Sequence, residues 1–279
     1  MNVPDNTIIT HYSKNKLYDV IIEAIKNSGI NLNKLKVEDF KSVDEFHIGG
    51  LQATLNLLDQ LKIKPETKIL DIGAGIGGPA RLISSHYKAN VTGIDLTPDF
   101  VETAIKINDL LGLNIKFQIG DALNIPFNEN EYNLATLLHV GMNISDKNRL
   151  FSEVSRVLNK GGIFAIYDVM IIAEGDLEFP VPWASIPNAS FVEGPNNYHD
   201  AAIASGFTLI SKRSREKFAL EFFNNLKKIV EKSGPPAVGL NLVMGSDSKI
   251  KIENVVNAIE KGHLAPVEMI FVKNNIHTK

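Results

Sequence analysis

The chain has 279 residues, of which 44% are hydrophobic and 22% are charged, and its formal net charge is −3. This composition is typical of one globular domain with elaborations, or of two small domains, and the absence of a lysine- and arginine-rich stripe argues against a nucleic-acid partner. The sequence contains no cysteine, which excludes disulfides, iron–sulfur clusters and thiolate zinc sites.

An alternating core begins after an N-terminal part, 12–61, whose pattern is helical. Strands are predicted at KILDIG, NVTGIDL, IKFQIGDA, YNLATLLHV and IFAIYDVMI. Helices are predicted between them at about 77–87, 98–111 and 146–158, the last ended by Gly161-Gly162. Strands that alternate with helices predict an α/β fold, a doubly wound and mostly parallel sheet with helices on both faces.

Two segments interrupt this alternation. Residues 173–195 contain four of the twelve prolines and the single tryptophan, which predicts an irregular covering loop. Residues 214–263 have a helical pattern interrupted by SGPPAVGLNLVMGSDS, and PVEMIFVKN predicts a last strand. We therefore expect a helical cap at 1–62 and a second domain at 63–279, with lid insertions at about 173–195 and 214–263.

A glycine-rich turn follows the first predicted strand, in ILDIGAGIGGPARLI at 69–83. Gly73, Gly75 and Gly78 fit G-x-G-x-x-G, so the spacing alone is compatible with nicotinamide or flavin dinucleotides and with S-adenosylmethionine. Asp71 would be repelled by a pyrophosphate and attracted by a cationic amine or sulfonium. Asp95, at the end of the next strand, is placed to accept hydrogen bonds from ribose hydroxyls of either cofactor class.

Five segments together resemble the successive motifs of the class I S-adenosylmethionine-dependent methyltransferases: ILDIGAGIGGPARLI, VTGIDLTP, GDALNIPF, EYNLATLLHV and FSEVSRVLNKGGIFAIYD. The resemblance covers 63–169 strongly and extends from there to 279 more loosely. It implies a Rossmann-like sheet of seven strands with the last strand antiparallel. The flanking segments, and DEFHIGG at 44–50 above all, resemble small-molecule enzymes such as the glycine, sarcosine and dimethylglycine methyltransferases.

The resemblance implies S-adenosyl-L-methionine as cofactor and S-adenosyl-L-homocysteine as product. It assigns cofactor contacts, at matching positions, to Asp71, Gly73, Ala74, Gly75, Asp95, Leu96, Asp121, Ala122 and His139. Asp71 would orient the glycine turn or the cofactor's amino group, Asp95 would hold the ribose, and Asp121 would contact the adenine edge.

The acceptor site is expected over the strand ends, beneath a cover. Methyl transfer is a direct displacement that mainly needs alignment of donor and acceptor, so no covalent nucleophile is required. His139, His47 and Trp183 are the candidate catalytic and acceptor-site residues, and Tyr12 and Tyr18 are candidates for closing over the cofactor. The seven histidines lack the spacing of a zinc motif, so we expect no metal.

The predicted reaction is methylation of a small molecule by in-line displacement. The subgroup resemblance slightly favours an amine over a phenol, a quinol or a carbon atom. Two alternatives stay open at this point, a nicotinamide-dependent oxidoreductase and a non-catalytic S-adenosylmethionine-binding module. A secretory signal and a membrane-spanning apolar run are both missing from the sequence, so we expect a cytoplasmic protein without a membrane partner, with a homodimer as one possibility.

Overall fold

The structure is a computed structural model that describes residues 17–234, 236 and 238–275. In this part of the chain, seven strands form one sheet in the order β3-β2-β1-β4-β5-β7-β6. The strands are β1 (Lys68–Ile72), β2 (Asn90–Asp95), β3 (Lys116–Ile119), β4 (Tyr132–Leu138), β5 (Leu158–Ile171), β6 (Phe207–Ser214) and β7 (Leu264–Lys273).

Strands β1 to β5 pair in parallel, whereas β7 runs antiparallel to both of its neighbours, β5 and β6. The predicted doubly wound sheet with a reversed last strand is therefore confirmed. Strand order reverses between β1 and β4, the place where ligands bind in open α/β sheets.

Helices flank the sheet and precede it. The helices of the described residues are α1 (Leu17–Asn27), α2 (Gly50–Leu58), α3 (Gly78–Tyr87), α4 (Pro98–Leu110), α5 (Lys147–Val157), α6 (Pro195–Ala204), α7 (Glu216–Ser233), α8 (Asn241–Met244) and α9 (Ser248–Glu260). None of the described helices combines the length and the apolar character that crossing a bilayer requires.

Local sequence signals explain where several core helices begin. Proline occupies the first turn of α3 and of α4, where its fixed φ suits a helix and its missing N–H costs nothing. The Asp146 side chain accepts a hydrogen bond of 2.8 Å from the Arg149 N–H and so caps α5. These starts place the loops that precede them at the carboxyl ends of the strands.

The N-terminal part is less regular than its sequence pattern suggests. Between α1 and α2 the backbone forms only two short 3₁₀ turns, Leu32–Lys34 and Val37–Phe40. Leu17, Ile21 and Ile25 of α1 are buried in a cluster that also contains residues of α4 and α8. This part of the chain therefore covers one side of the sheet's carboxyl edge. The proposed division of the chain at residue 62 stays a prediction.

One local prediction was wrong, and two elements were not predicted. The pair Gly161-Gly162 does not end a helix, because α5 ends at Val157 and both glycines lie within β5. Helix α6 and strand β6 were not predicted. Strand β6 has an exposed, polar end and an exposed Ile210, so its alternation is incomplete, and it is held at the sheet edge by pairing with β7.

Candidate functional site

A cavity of about 140 Å³ lies at the carboxyl ends of the parallel strands. The residues predicted to contact the cofactor line it, loop by loop. The loop after β1 contributes Asp71, Gly73, Ala74 and Gly75; the end of β2 contributes Asp95 and Leu96; the loop after β3 contributes Asp121 and Ala122; and the end of β4 contributes His139. We call this space the cofactor cavity.

The glycine turn needs glycine for two separate reasons. Gly73 and Gly75 have φ of 70° and 55°, the left-handed region that favours glycine. A Cβ atom on Gly73 would also collide with the Val140 side chain, whereas a Cβ on Gly75 would meet open space. Substitution of Gly73 would therefore disturb the packing of the turn, and substitution of Gly75 would mainly strain its backbone.

Asp95 ties the glycine turn to the end of β2. Its Oδ2 accepts a hydrogen bond of 2.9 Å from the Gly75 N–H, and its Oδ1 accepts one of 2.8 Å from the Thr97 N–H. The Thr97 side chain and the Leu96 N–H also form hydrogen bonds with this carboxylate. Asp95 thus has a structural role in addition to the binding role that the sequence predicts.

Asp71 is a buried carboxyl group with one unsatisfied oxygen. Its side chain is 2% exposed, and its Oδ1 accepts a hydrogen bond of 2.7 Å from the Thr136 hydroxyl. Its Oδ2 is buried without a hydrogen-bond partner. Burial, with a smaller effect of the Asp95 charge, raises the pKa of Asp71 to about 7. A cationic group bound in the cavity would favour the ionised form of this carboxyl.

The segment before α2 is anchored to the glycine turn by a buried ion pair. The Arg81 guanidinium, which is fully buried, donates hydrogen bonds of 2.9 Å to Asp44 Oδ2 and 2.8 Å to the Ile76 carbonyl oxygen. Loss of either partner would leave an uncompensated buried charge. This pair holds residues 43–47 against the cofactor cavity, which Val43, Asp44, Phe46 and His47 also line.

A second cavity, of about 90 Å³, adjoins the first. We call it the acceptor cavity. Phe46, His47 and His139 line both cavities and mark the junction between them. Trp183, from the loop after β5, lines the acceptor cavity. The three residues proposed for the acceptor site are therefore brought together, although they are far apart in the sequence.

His47 and His139 lie side by side at this junction. Their ring centroids are 5.8 Å apart, and the Tyr167 ring lies 5.0 Å from the His139 ring. Burial lowers the pKa of His47 to about 4, and burial together with the nearby His47 lowers that of His139 well below its usual value. Both imidazoles are therefore neutral at neutral pH.

His139 has two further unusual features. Its φ is 55°, which is uncommon for a residue with a side chain and costs backbone energy. Its Nε2 atom is buried without a hydrogen-bond partner. A strained backbone and an unsatisfied nitrogen at a cavity junction are features typical of a binding or catalytic position.

Glu45 lines neither cavity but contacts His47, and the sequence interpretation missed this contact. The Thr54 hydroxyl lies 2.8 Å from Glu45 Oε2 and 2.9 Å from His47 Nε2, and these two atoms are themselves 3.4 Å apart. Burial, with the neighbouring Asp44 charge, raises the pKa of Glu45 to about 8. At neutral pH the pair is thus a carboxylic acid beside a neutral imidazole. The position of Glu45 two residues before His47, in DEFHIGG, was the sequence signal that could have identified it.

The individual residues of the far wall of the acceptor cavity were also missed, although they belong to the segment predicted as a lid at 214–263. This wall is formed by apolar residues of α7, α8 and α9, among them Phe222, Phe223, Leu226, Met244 and Val255. Apolar residues on a helix resemble ordinary core residues, so no local signal separates them from packing. Tyr18 packs in the cluster beside α1 instead of lining either cavity, and Tyr12 lies outside the described residues. Among the described side chains, no group of three or more metal-ligating residues is placed to hold a metal ion.

Comparison with known proteins identifies the core. Residues 69–162 match a family model described as "Methyltransferase domain". Over these residues, about a third of the chain, the sequence is similar to methyltransferase domains. The resemblance predicted from the sequence motifs is confirmed, since the match spans the glycine turn and all the strands from β1 to the start of β5.

A curated relative extends this similarity. The 24-methylenesterol C-methyltransferase 3 of Arabidopsis thaliana is 30% identical over 168 residues, which are 57% of this chain and 47% of that protein. The matched part is thus about half the length of the relative.

Solved structures share the fold over more of the chain. Geranyl diphosphate C-methyltransferase from Streptomyces coelicolor A3(2) has a TM-score of 0.70 at 16% identity and covers 98% of both chains. A putative sarcosine dimethylglycine methyltransferase from Galdieria sulphuraria has a TM-score of 0.62 at 22% identity and covers 81% of this chain and 86% of the other. At these identities the likeness concerns the fold alone.

Proposed function

We propose that this protein transfers a methyl group from S-adenosylmethionine to a small-molecule acceptor. The observation that carries the proposal is the joining of two cavities at His47 and His139. One cavity contains the glycine turn and the acidic strand ends of a methyltransferase domain. The other is enclosed by helices and by the Trp183 loop, and it has room for a small molecule.

The residues of the cofactor cavity fit S-adenosylmethionine. The unsatisfied Asp71 Oδ2 suits a cationic amino group, and a pyrophosphate would be repelled by the ionised form of Asp71. In this proposal Asp95 would hold the ribose hydroxyls, and Asp121 with Ala122, which line the same cavity, would contact the adenine. S-adenosylhomocysteine accompanies the substrate in a solved phosphoethanolamine methyltransferase of similar fold. This set of groups favours methyl transfer over the nicotinamide alternative.

When bound, the cofactor supplies an activated methyl group on a sulfonium, and transfer to an X–H acceptor leaves a neutral thioether and one proton. We assign the proton to His139 Nε2, which lies at the junction without a partner. A neutral imidazole accepts a proton, and a positively charged neighbour opposes this step. His139 would therefore accept the proton after the methyl group has been transferred, when the positive charge of the bound cofactor would no longer oppose protonation of the ring.

His47 and Trp183 complete the acceptor site in this proposal. His47 Nε2 lies 3.1 Å from the Gly50 carbonyl oxygen, which places the hydrogen of the neutral ring on Nε2. The Trp183 indole N–H donates a hydrogen bond of 2.9 Å to Ser190 Oγ, so its ring surface, not its N–H, is offered to the acceptor. The loop at 173–195 and the helices at 214–263 serve as the lid that encloses the acceptor and excludes water from the displacement.

The direct test is a screen of amines, phenols and quinols with the purified protein and S-adenosylmethionine, followed by mass spectrometry. We expect one acceptor class to gain a methyl group with equal formation of S-adenosylhomocysteine, and a His139→Asn variant to slow this at least tenfold. Efficient methylation of intact protein or duplex nucleic acid, which cannot enter the acceptor cavity, would contradict the proposal.

The proposal also includes the cytoplasmic location and the homodimer that we expect from the sequence. A cytoplasmic location agrees with the cysteine-free sequence. A homodimer would be detected as a doubled mass by light scattering after size-exclusion chromatography, and a single-chain mass at all concentrations would exclude it.

A further inference from the structure

The acceptor cavity is lined almost entirely by hydrocarbon and aromatic surface. Its walls include Trp183, Phe222, Phe223, Leu226 and Met244. Among the described residues that line it, no lysine, arginine, aspartate or glutamate occurs. The ionisable side chains are the two imidazoles at the junction, His47 and His139, which burial keeps neutral at neutral pH.

The buried lysine of α9 is already engaged. Lys251 Nζ donates a hydrogen bond of 3.1 Å to the Met244 carbonyl oxygen and lies 3.1 Å from Asp247 Oδ1. Lys251 does not line the cavity. A phosphate or carboxylate on the acceptor would therefore lack a counter-ion, and an ammonium group would lack a carboxylate in the lining. Burying a charge without a partner costs several kcal/mol.

One polar atom at the junction does lack a partner. His139 Nε2 is buried and makes no hydrogen bond within the described structure. A hydroxyl group, which both donates and accepts, satisfies this nitrogen in either tautomer of the ring. The cavity therefore combines a wide apolar wall with a single position for a hydroxyl group, next to the cofactor cavity.

We propose that the acceptor is an uncharged, largely apolar molecule with one hydroxyl group, bound with the hydroxyl at His139 and its hydrocarbon body against Trp183 and α7. This inference rests on the proposed function and narrows its acceptor. It differs from the small amine that the sequence resemblance favours, and the experiment compares the two classes directly.

Trp183 is the only tryptophan of the chain, so its fluorescence reports on the acceptor cavity. The protein saturated with S-adenosylhomocysteine is titrated with 4-hexylphenol and, separately, with dimethylglycine and phosphoethanolamine. We expect a saturable change of the Trp183 emission with 4-hexylphenol at micromolar concentration and none with the two charged compounds up to millimolar concentration. Saturable binding of a charged compound with equal or higher affinity would overturn the inference.

A matched pair of variants locates the probe. Leu226→Lys places an ammonium group on the apolar wall, whereas Ile229→Lys makes the same change on α7 at a residue that is 58% exposed and outside the cavity lining. We expect the first variant to weaken 4-hexylphenol binding at least tenfold and the second to change it less than twofold. S-adenosylhomocysteine affinity, measured in parallel, shows that each variant is folded. Equal effects of the two variants would show that the probe binds elsewhere and would contradict the inference.

The inference and the proposed function fail in different ways. If the protein does not bind S-adenosylhomocysteine, the proposed function is wrong and the acceptor assignment falls with it. If the cofactor binds and a charged amine is methylated in preference to neutral hydroxyl compounds, the proposed function stands and the apolar acceptor is wrong.

Discussion

Replacing Asp71 with asparagine should stabilise the protein at alkaline pH and weaken cofactor binding. The pKa of Asp71 is raised from 3.8 to about 7 by burial. Because the folded state then binds more protons than the unfolded state, stability falls as pH rises through this window. The interval between pH 5 and the pKa of Asp71 in the folded state is about two pH units, and each unit corresponds to about 1.36 kcal/mol. The ionisation of Asp71 therefore costs the folded state about 2–3 kcal/mol over this range.

Asparagine keeps an oxygen for the Thr136 hydroxyl and cannot ionise. We therefore expect the free energy of unfolding of Asp71→Asn, relative to wild type, to rise by about 2–3 kcal/mol between pH 5 and pH 8. Urea unfolding followed by circular dichroism at both pH values measures this. Asp109→Asn, at an exposed aspartate of α4, is the control and should show no such change. A relative stability of Asp71→Asn that is equal at both pH values would refute the reasoning.

Three other predictions concern ligands. Asp95→Asn should weaken S-adenosylmethionine binding by about 1.5–3 kcal/mol in a calorimetric titration. It should also lower Tm, because one of the two N–H groups that donate a hydrogen bond to Asp95 loses its acceptor. Unchanged affinity would show that the ribose is held elsewhere. Trp183→Ala should slow methyl transfer at least tenfold with little change in cofactor Kd. An equal loss of cofactor affinity would show that Trp183 acts in the cofactor cavity and not in the acceptor cavity. S-adenosylmethionine affinity should increase from pH 6 to pH 8 as Asp71, with a pKa of about 7, becomes ionised beside the cofactor's amino group; Asp71→Asn should abolish this increase, and an increase of equal size in that variant would contradict it.

The sequence predicted those parts of the site that a strand end and its loop position locally. A glycine at a left-handed turn and an acidic residue at the end of a parallel strand are constrained by backbone geometry, so Gly73, Asp71 and Asp95 could be assigned to one edge before the structure was known. All of them line the cofactor cavity. Their roles in binding stay predictions until the titrations are done.

Tertiary packing created the features that could not be predicted. Strand β6 is held by its pairing with β7 and not by its own pattern. The wall of the acceptor cavity contains Leu226 and Met244, which look like core residues until the helices meet. The left-handed backbone of His139 and the contact of Glu45 with Thr54 likewise depend on the assembled fold. The acceptor class, an amine from the flanking motifs or a neutral hydroxyl compound from the cavity lining, stays a prediction until the titrations are done.

Calorimetric titration of the purified protein with S-adenosylmethionine, S-adenosylhomocysteine and NAD⁺ tests the central claim most directly. We predict saturable one-to-one binding of the first two ligands and no binding of NAD⁺. At about a hundredfold excess over Kd, each bound ligand should stabilise the fold by about 2.7 kcal/mol and raise Tm by about 4–8 °C. Saturable binding of NAD⁺ without binding of S-adenosylmethionine would contradict the account.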